Sequence, residues 1–173
     1  MMIRENLSLP GAVVRVHVER AYDYDEKSHI WLYRQEEEDE VIHNLITNAG
    51  RVQLHTQCYA TTGILVNGFN YIALAASSAA PLATDTTLTS TQSGELSGNG
   101  LSRTQGAVIL PTGAGNQTSI TNSFTYTGVS QAVGSAALFT APAAGVMNHE
   151  INFTIRTLFT NDIVALSFTI TLG

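Results

Sequence analysis

The residues of this chain able to hold a metal are five histidines, one cysteine and a short acidic run. His17, His29, His43, His55 and His149 are scattered, without an HExxH pair and without a second cysteine to place beside Cys58 at zinc spacing. His43 and His55 would approach each other across a short helix, but a chance pair is the better reading. Asp23, Asp25 and Glu26 look like part of a calcium loop, yet the loop glycine and the distal glutamate are missing, so a solvated hairpin tip is favoured. For nucleophilic hydrolysis, Gly128-Val129-Ser130-Gln131-Ala132 is one residue away from a nucleophile elbow. That mechanism needs a strand, a sharp turn and a helix, and the flanks here read as two strands joined by a hairpin turn. Gly98-Asn99-Gly100 has no following GKS or GKT and no surrounding βαβ unit, so it does not read as a phosphate loop. Paired carboxylates for glycoside hydrolysis would have to come from Asp85, Glu95, Glu150 and Asp162, which are widely spaced. No constellation meets the geometric needs of its own chemistry, so the expectation is a protein that is not an enzyme and carries no cofactor and no metal.

Aromatic residues offer a different function. Tyr22, Tyr24, Trp31 and Tyr33 fall close together on either side of a polar turn. They suit a partner-binding or sugar-stacking surface, but packing across a hairpin that they anchor is the better reading. The alternating Val14, Val16 and Val18 precede them with one apolar face, and these seven residues together form the expected partner interface. An isolated two-stranded hairpin is marginal in water, so this one is expected to pack on the main domain or on another chain.

These residues must be positioned by a chain of 173 residues, long enough for one domain with a real core. The first 40 residues carry ten of the fourteen acids and five of the eight bases; residues 61–173 carry four acids and two arginines. An ordinary soluble surface is roughly a quarter charged or more, so the later tract must stay soluble through hydroxyls and amides. A net charge of −6 with a single lysine, Lys27, argues against nucleic acid as a partner. No window of 18 apolar residues is present, so no membrane span is expected. The first residues, Met1-Met2-Ile3-Arg4-Glu5-Asn6, lack the basic and apolar regions of a signal peptide. One cysteine suits a reducing cytosol, in which the sequons at Asn6, Asn116 and Asn152 carry no weight.

Alternation predicts a strand over 12–20, a polar turn at 23–28 and a returning strand from His29 to Tyr33. Glu36 to Glu40 is a block of five acids and reads as a linker. Thr47 or Asn48 is placed to cap a helix over 49–59. Strands are then expected at Phe69 to Ala75, Ala107 to Leu110, Ser119 to Tyr126, Ala132 to Phe139, His149 to Thr157 and Ile163 to Leu172. The segment 77–104 is a long polar connection, of the kind that is functional or held by a partner. The expected fold is mainly β: an antiparallel sandwich or jelly-roll-like domain over 41–173 led by one short helix, with residues 1–40 as an N-terminal hairpin arm and acidic linker.

One further pattern runs through the chain. It opens with His43-Asn44-Leu45-Ile46-Thr47-Asn48-Ala49-Gly50-Arg51 and continues with Asn70-Tyr71-Ile72-Ala73-Leu74, Ala80-Pro81, Thr84-Asp85-Thr86-Thr87-Leu88 and Glu95. It closes with Leu101-Ser102-Arg103 and Thr169-Ile170-Thr171-Leu172-Gly173. Over roughly residues 41–173 this resembles a group of small tailed-bacteriophage structural proteins. The resemblance implies a virion protein without catalytic residues, assembled in the host bacterial cytoplasm. Its first implied role is a capsid decoration, or cement, protein that binds between major capsid subunits and copies of itself, as a trimer. The alternatives are a tail, baseplate or fibre-associated subunit and, from the aromatic residues, a carbohydrate-binding β-sandwich.

Overall fold

A computed structural model describes residues 12–35, 40–43, 45–50, 68–88, 94–110 and 117–171. Its eleven strands are β1 (Ala12–Asp25), β2 (Ile30–Gln35), β3 (Glu40–His43), β4 (Leu45–Ile46), β5 (Tyr71–Ala75), β6 (Thr104–Gln105), β7 (Ala107–Ile109), β8 (Gln117–Thr125), β9 (Ser130–Phe139), β10 (Met147–Phe159) and β11 (Ile163–Thr171). They form two antiparallel sheets. One runs β2-β1-β11-β8-β7, with β3 also pairing β1; the other runs β4-β10-β9-β5-β6.

The two sheets share one core. Val14, Val16, Ile120, Phe124, Val164, Leu166 and Phe168 come from the first, and Ile72, Leu74, Val133, Ala136, Leu138, Ile151, Phe153 and Leu158 from the second. The mainly β sandwich expected from the sequence is therefore present. β11 shows why alternation was readable: Val164, Leu166 and Phe168 are buried, while Ala165, Ser167 and Thr169 are half-buried on the outer face. Across the ladder, Ser119, Thr121 and Ser123 of β8 stand opposite Thr169, Ser167 and Ala165, so that outer face is built of small and hydroxyl side chains.

β5 does not alternate, because the second sheet is covered on both faces. Ile72 and Leu74 enter the shared core, while Ala73 and Ala75 join a second cluster with Ala137, Phe139, Met147 and Leu88. Leu88 arrives from the long polar connection, which thus folds back onto this chain's own sheet. Asn152 Nδ2 donates to Ser78 O at 3.0 Å, and Asn48 N donates to Ala83 O at 2.7 Å. Leu96 N donates to Leu74 O at 2.7 Å, lining the edge of β5 beyond the short β6.

The helix start is real and is capped by Thr47. Its Oγ1 accepts from Gly50 N at 3.0 Å and donates to Met147 O at 2.8 Å, and its own N–H donates to Asn148 O at 2.9 Å. A side chain at Gly50 would come within 1.9 Å of Asn148 Oδ1, so only glycine lets this turn lie against β10. Residues 48–50 are helical, and the rest of the expected 49–59 helix lies outside the described residues.

Three expectations need correction. Residues 23–25 belong to β1, not to the turn: the turn is Glu26–His29, closed by His29 N donating to Asp25 O at 2.9 Å. Asp25 accepts from Ser28 Oγ at 2.5 Å and Lys27 N at 3.0 Å, and these bonds hold its carboxyl below the usual range. Second, Gly128 and Val129 do not form a hairpin turn. They cross between sheets, since β8 lies in one and β9 in the other. Third, β1 is an interior strand and not wholly part of an arm. It pairs with β11 from Ala12↔Ile170 to Glu19↔Ile163, and β3 begins at Glu40 opposite Val16, so the expected boundary at residues 40 and 41 falls within a sheet.

Candidate interaction surface

β1 outruns its neighbour. Its last partner on β11 is opposite Glu19; from Ala21 onward it pairs only with β2. The register slips at Tyr22, which is the extra residue of a bulge between Ala21↔Tyr33 and Asp23↔Leu32. A bulge adds twist and re-aims the strand. Beyond it, Tyr24 faces Trp31 with ring centroids 5.3 Å apart and planes tilted by 55°. Tyr24 OH lies 3.3 Å from His29 Nδ1, joining the ring pair to the turn.

The seven expected interface residues divide. Val14 and Val16 are buried in the sandwich core, and Val18 packs half-buried against it, so these three serve the fold and Val14 and Val16 present nothing to a partner. Tyr22, Tyr24 and Trp31 are exposed, at 55%, 39% and 43%, and Tyr33 is half-buried. Tyr24 and Trp31 thus do both things: they pack across the hairpin and still show about two fifths of their surface. The sequence reading omitted Ile30, which is 56% exposed beside them; a single isoleucine at a turn carries no pattern that would have marked it.

The hairpin is rooted by an ion pair. Arg20 Nη1 donates to Asp162 Oδ2 at 2.5 Å and to Thr157 O at 2.9 Å, and its guanidinium lies 5.1 Å from the centroid of the Phe159 ring. Asp162 is buried in the β10–β11 crossing and also accepts from Phe159 N at 2.8 Å and Ala21 N at 3.2 Å. A second arginine, Arg103, makes a two-pronged contact with Glu95, donates to Ala141 O at 3.0 Å and Ala144 O at 2.6 Å, and lies 3.5 Å over the Phe139 ring. Glu95 and Arg103, both in the pattern that carries the family resemblance, therefore act on structure.

The groups considered for chemistry are dispersed. Asp85 closes a local turn by accepting from Leu82 N at 2.8 Å, Glu95 and Asp162 are held by arginines, and Glu150 is buried in β10. Gly98, Asn99 and Gly100 all have positive φ, and a side chain on Gly100 would meet Thr125 O at 1.9 Å; this turn buttresses β8. His17 lies 3.3 Å from Glu19 Oε1 beside a shallow concavity of about 420 Å³ lined by Arg15, Thr121, Ser123 and Ser167. His43 has no described side chain, and His55 and Cys58 lie outside the described residues. Among the described residues no three metal-ligating side chains come together, and no helix is long and apolar enough to cross a membrane.

His149 has a measurable consequence. It is 1% exposed, and among the described residues neither ring nitrogen has a hydrogen-bond partner. Burial disfavours the charged ring and lowers its pKa to about 4 from 6.5. The unfolded chain therefore binds this proton first as pH falls. The stability it contributes is whole above pH 6.5 and is lost between there and pH 4, by about 3 kcal/mol in all. Urea unfolding of the wild type and His149→Leu at pH 7.5 and 4.5 measures this. The variant should lose less stability on acidification; equal losses would mean that His149 is not the group responsible.

The surface that gathers the exposed expected residues is the hairpin beyond Ala21, an aromatic projection fixed at its base by Arg20 and Asp162. No protein-family model matches this chain, and no curated protein matches it.

Proposed function

We propose that this chain is a structural subunit of a tailed-bacteriophage particle. In this reading it decorates the head shell, and its hairpin docks between major capsid subunits or on a neighbouring copy. The observation that carries it is the projecting hairpin, with Tyr22, Tyr24, Ile30 and Trp31 exposed on a base locked to the sandwich. Exposed apolar clusters of this kind mark interaction sites, and tyrosine and tryptophan give large contact area at low entropic cost. The sheet face of serine, threonine and alanine and the resemblance described above support the same reading. No residue is assigned a catalytic role.

The test has two parts. Copy number in purified particles by mass spectrometry separates the placements: hundreds per particle fits the head shell, and six to a few dozen fits the tail. Tyr24→Ser combined with Trp31→Ser should weaken binding to undecorated shells about 30-fold or more, as loss of buried aromatic anchors does, with the melting temperature of the sandwich kept. Unchanged binding by the double variant would remove the hairpin from the contact. The same ring pair suits sugar stacking, and a glycan array that captured the wild type but not this variant would favour the carbohydrate-binding reading.

A further inference from the structure

The sandwich has four free sheet edges among the described residues, and they are not alike. β4 and β6 contribute two residues each. The β2 side carries the charged and aromatic hairpin. β7 is different: it pairs with β8 from Ala107↔Thr121 to Ile109↔Ser119, and no described strand lies on its other side. Val108 is 42% exposed, Ile109 63% and the following Leu110 67%. Natural sheets usually blunt such an edge with lysine, a bulge or a cover. This edge has three consecutive large aliphatic side chains facing solvent.

We propose that β7 is the edge along which two copies of this chain pair, strand to strand, about a two-fold axis. Charge identifies the occupant. The chain carries a formal charge of −6, yet no acid, lysine or arginine occurs from Thr104 to His149, a run of 46 residues that contains β7, β8 and β9. Two identical acidic molecules repel least where neither brings charge, and neither β7 nor the β8 strand behind it carries any. A charged peptide would find no partner for its charge along this strand, while a second β7 offers the same aliphatic row and the same edge, which no described strand pairs. Antiparallel pairing of identical edges is self-complementary and closes after one partner, so it gives a dimer and not a fibre. This contact goes beyond the hairpin-based reading and fails separately from it.

Sedimentation velocity over a wide concentration range is the direct test, with the full chain and with Ile109→Lys. The substituted residue is exposed, so the sandwich should melt as the wild type does. The expected result is a wild-type dimer whose dissociation constant rises at least about tenfold in the variant. A second measurement needs no variant: amide exchange of residues 107–110 in the wild type should slow as concentration rises. A chain that stays monomeric throughout, a trimer as the sole assembled species, or a variant that pairs as tightly as the wild type would each overturn the β7 contact. None of these three would bear on whether the hairpin variants lose shell binding.

Discussion

Asp162→Ala should cost about 4 kcal/mol of folding stability. The Asp162 carboxylate is buried and serves three donors: Arg20 Nη1, Phe159 N and Ala21 N. Removing it takes the carboxylate from a guanidinium that is only 19% exposed and leaves two main-chain N–H groups without their acceptor. An exposed ion pair would be worth little, but removing one partner of a buried pair is costly. Asp162→Asn keeps one acceptor oxygen while turning an amide toward Arg20, so it should recover less than half the loss. Arg20→Met should also be costly, because it leaves the more buried partner, the 1%-exposed Asp162 carboxylate, with only the two main-chain N–H donors of Phe159 and Ala21. Urea unfolding at pH 7 of these variants decides the point; a loss below about 1 kcal/mol for Asp162→Ala would mean that solvent reaches the pair and screens it.

Arg103→Ala should cost about 3 kcal/mol, or roughly a 10 °C fall in melting temperature for a domain of this size. Arg103 is 8% exposed and binds Glu95 through two nitrogens, while a third holds the carbonyls of Ala141 and Ala144. Its plane lies on Phe139. Lysine has neither the fork nor the plane, so Arg103→Lys should recover little. The effect should also be local. Amide exchange should quicken in 94–103 and 140–146, which Arg103 ties together, before it quickens in β11. Equal acceleration everywhere would show that these loops are no separate unit.

Both arginines show where sequence reading stops. Arg20 and Asp162 are 142 positions apart, and Arg103 reaches Ala144 across 41. Nothing in local pattern pairs such residues, because the sheet crossings that bring them together are decided by packing. Periodic signals fared better: the strands around Ile72, Ile120, Leu138, Ile151 and Phe168 lie where alternation or apolar runs place them. The missed elements, β3, β4 and β6, have four, two and two residues, and owe their conformation to the strand beside them. Alternation marks Val14 and Val16 as one apolar face, but an apolar strand face does not say which surface will bury it, and here it is the sandwich core. Tyr24 and Trp31 were legible as a pair, since residues flanking a turn at matched distance meet across it. Their exposure was not, because it depends on where β11 ends.

The base of the hairpin has a mechanical meaning. Asp162 sits in the crossing that carries the chain from one sheet to the other, its carbonyl accepting from Tyr126 N at the second crossing, and Arg20 also grips Thr157 O of β10. A pull on the hairpin tip is therefore not carried by the β1–β11 ladder alone. It enters at the corner where both sheets are stitched and is divided between them. A subunit held by such a lever would resist peeling with its whole sandwich, and the first thing to yield under load would be the ion pair at the root.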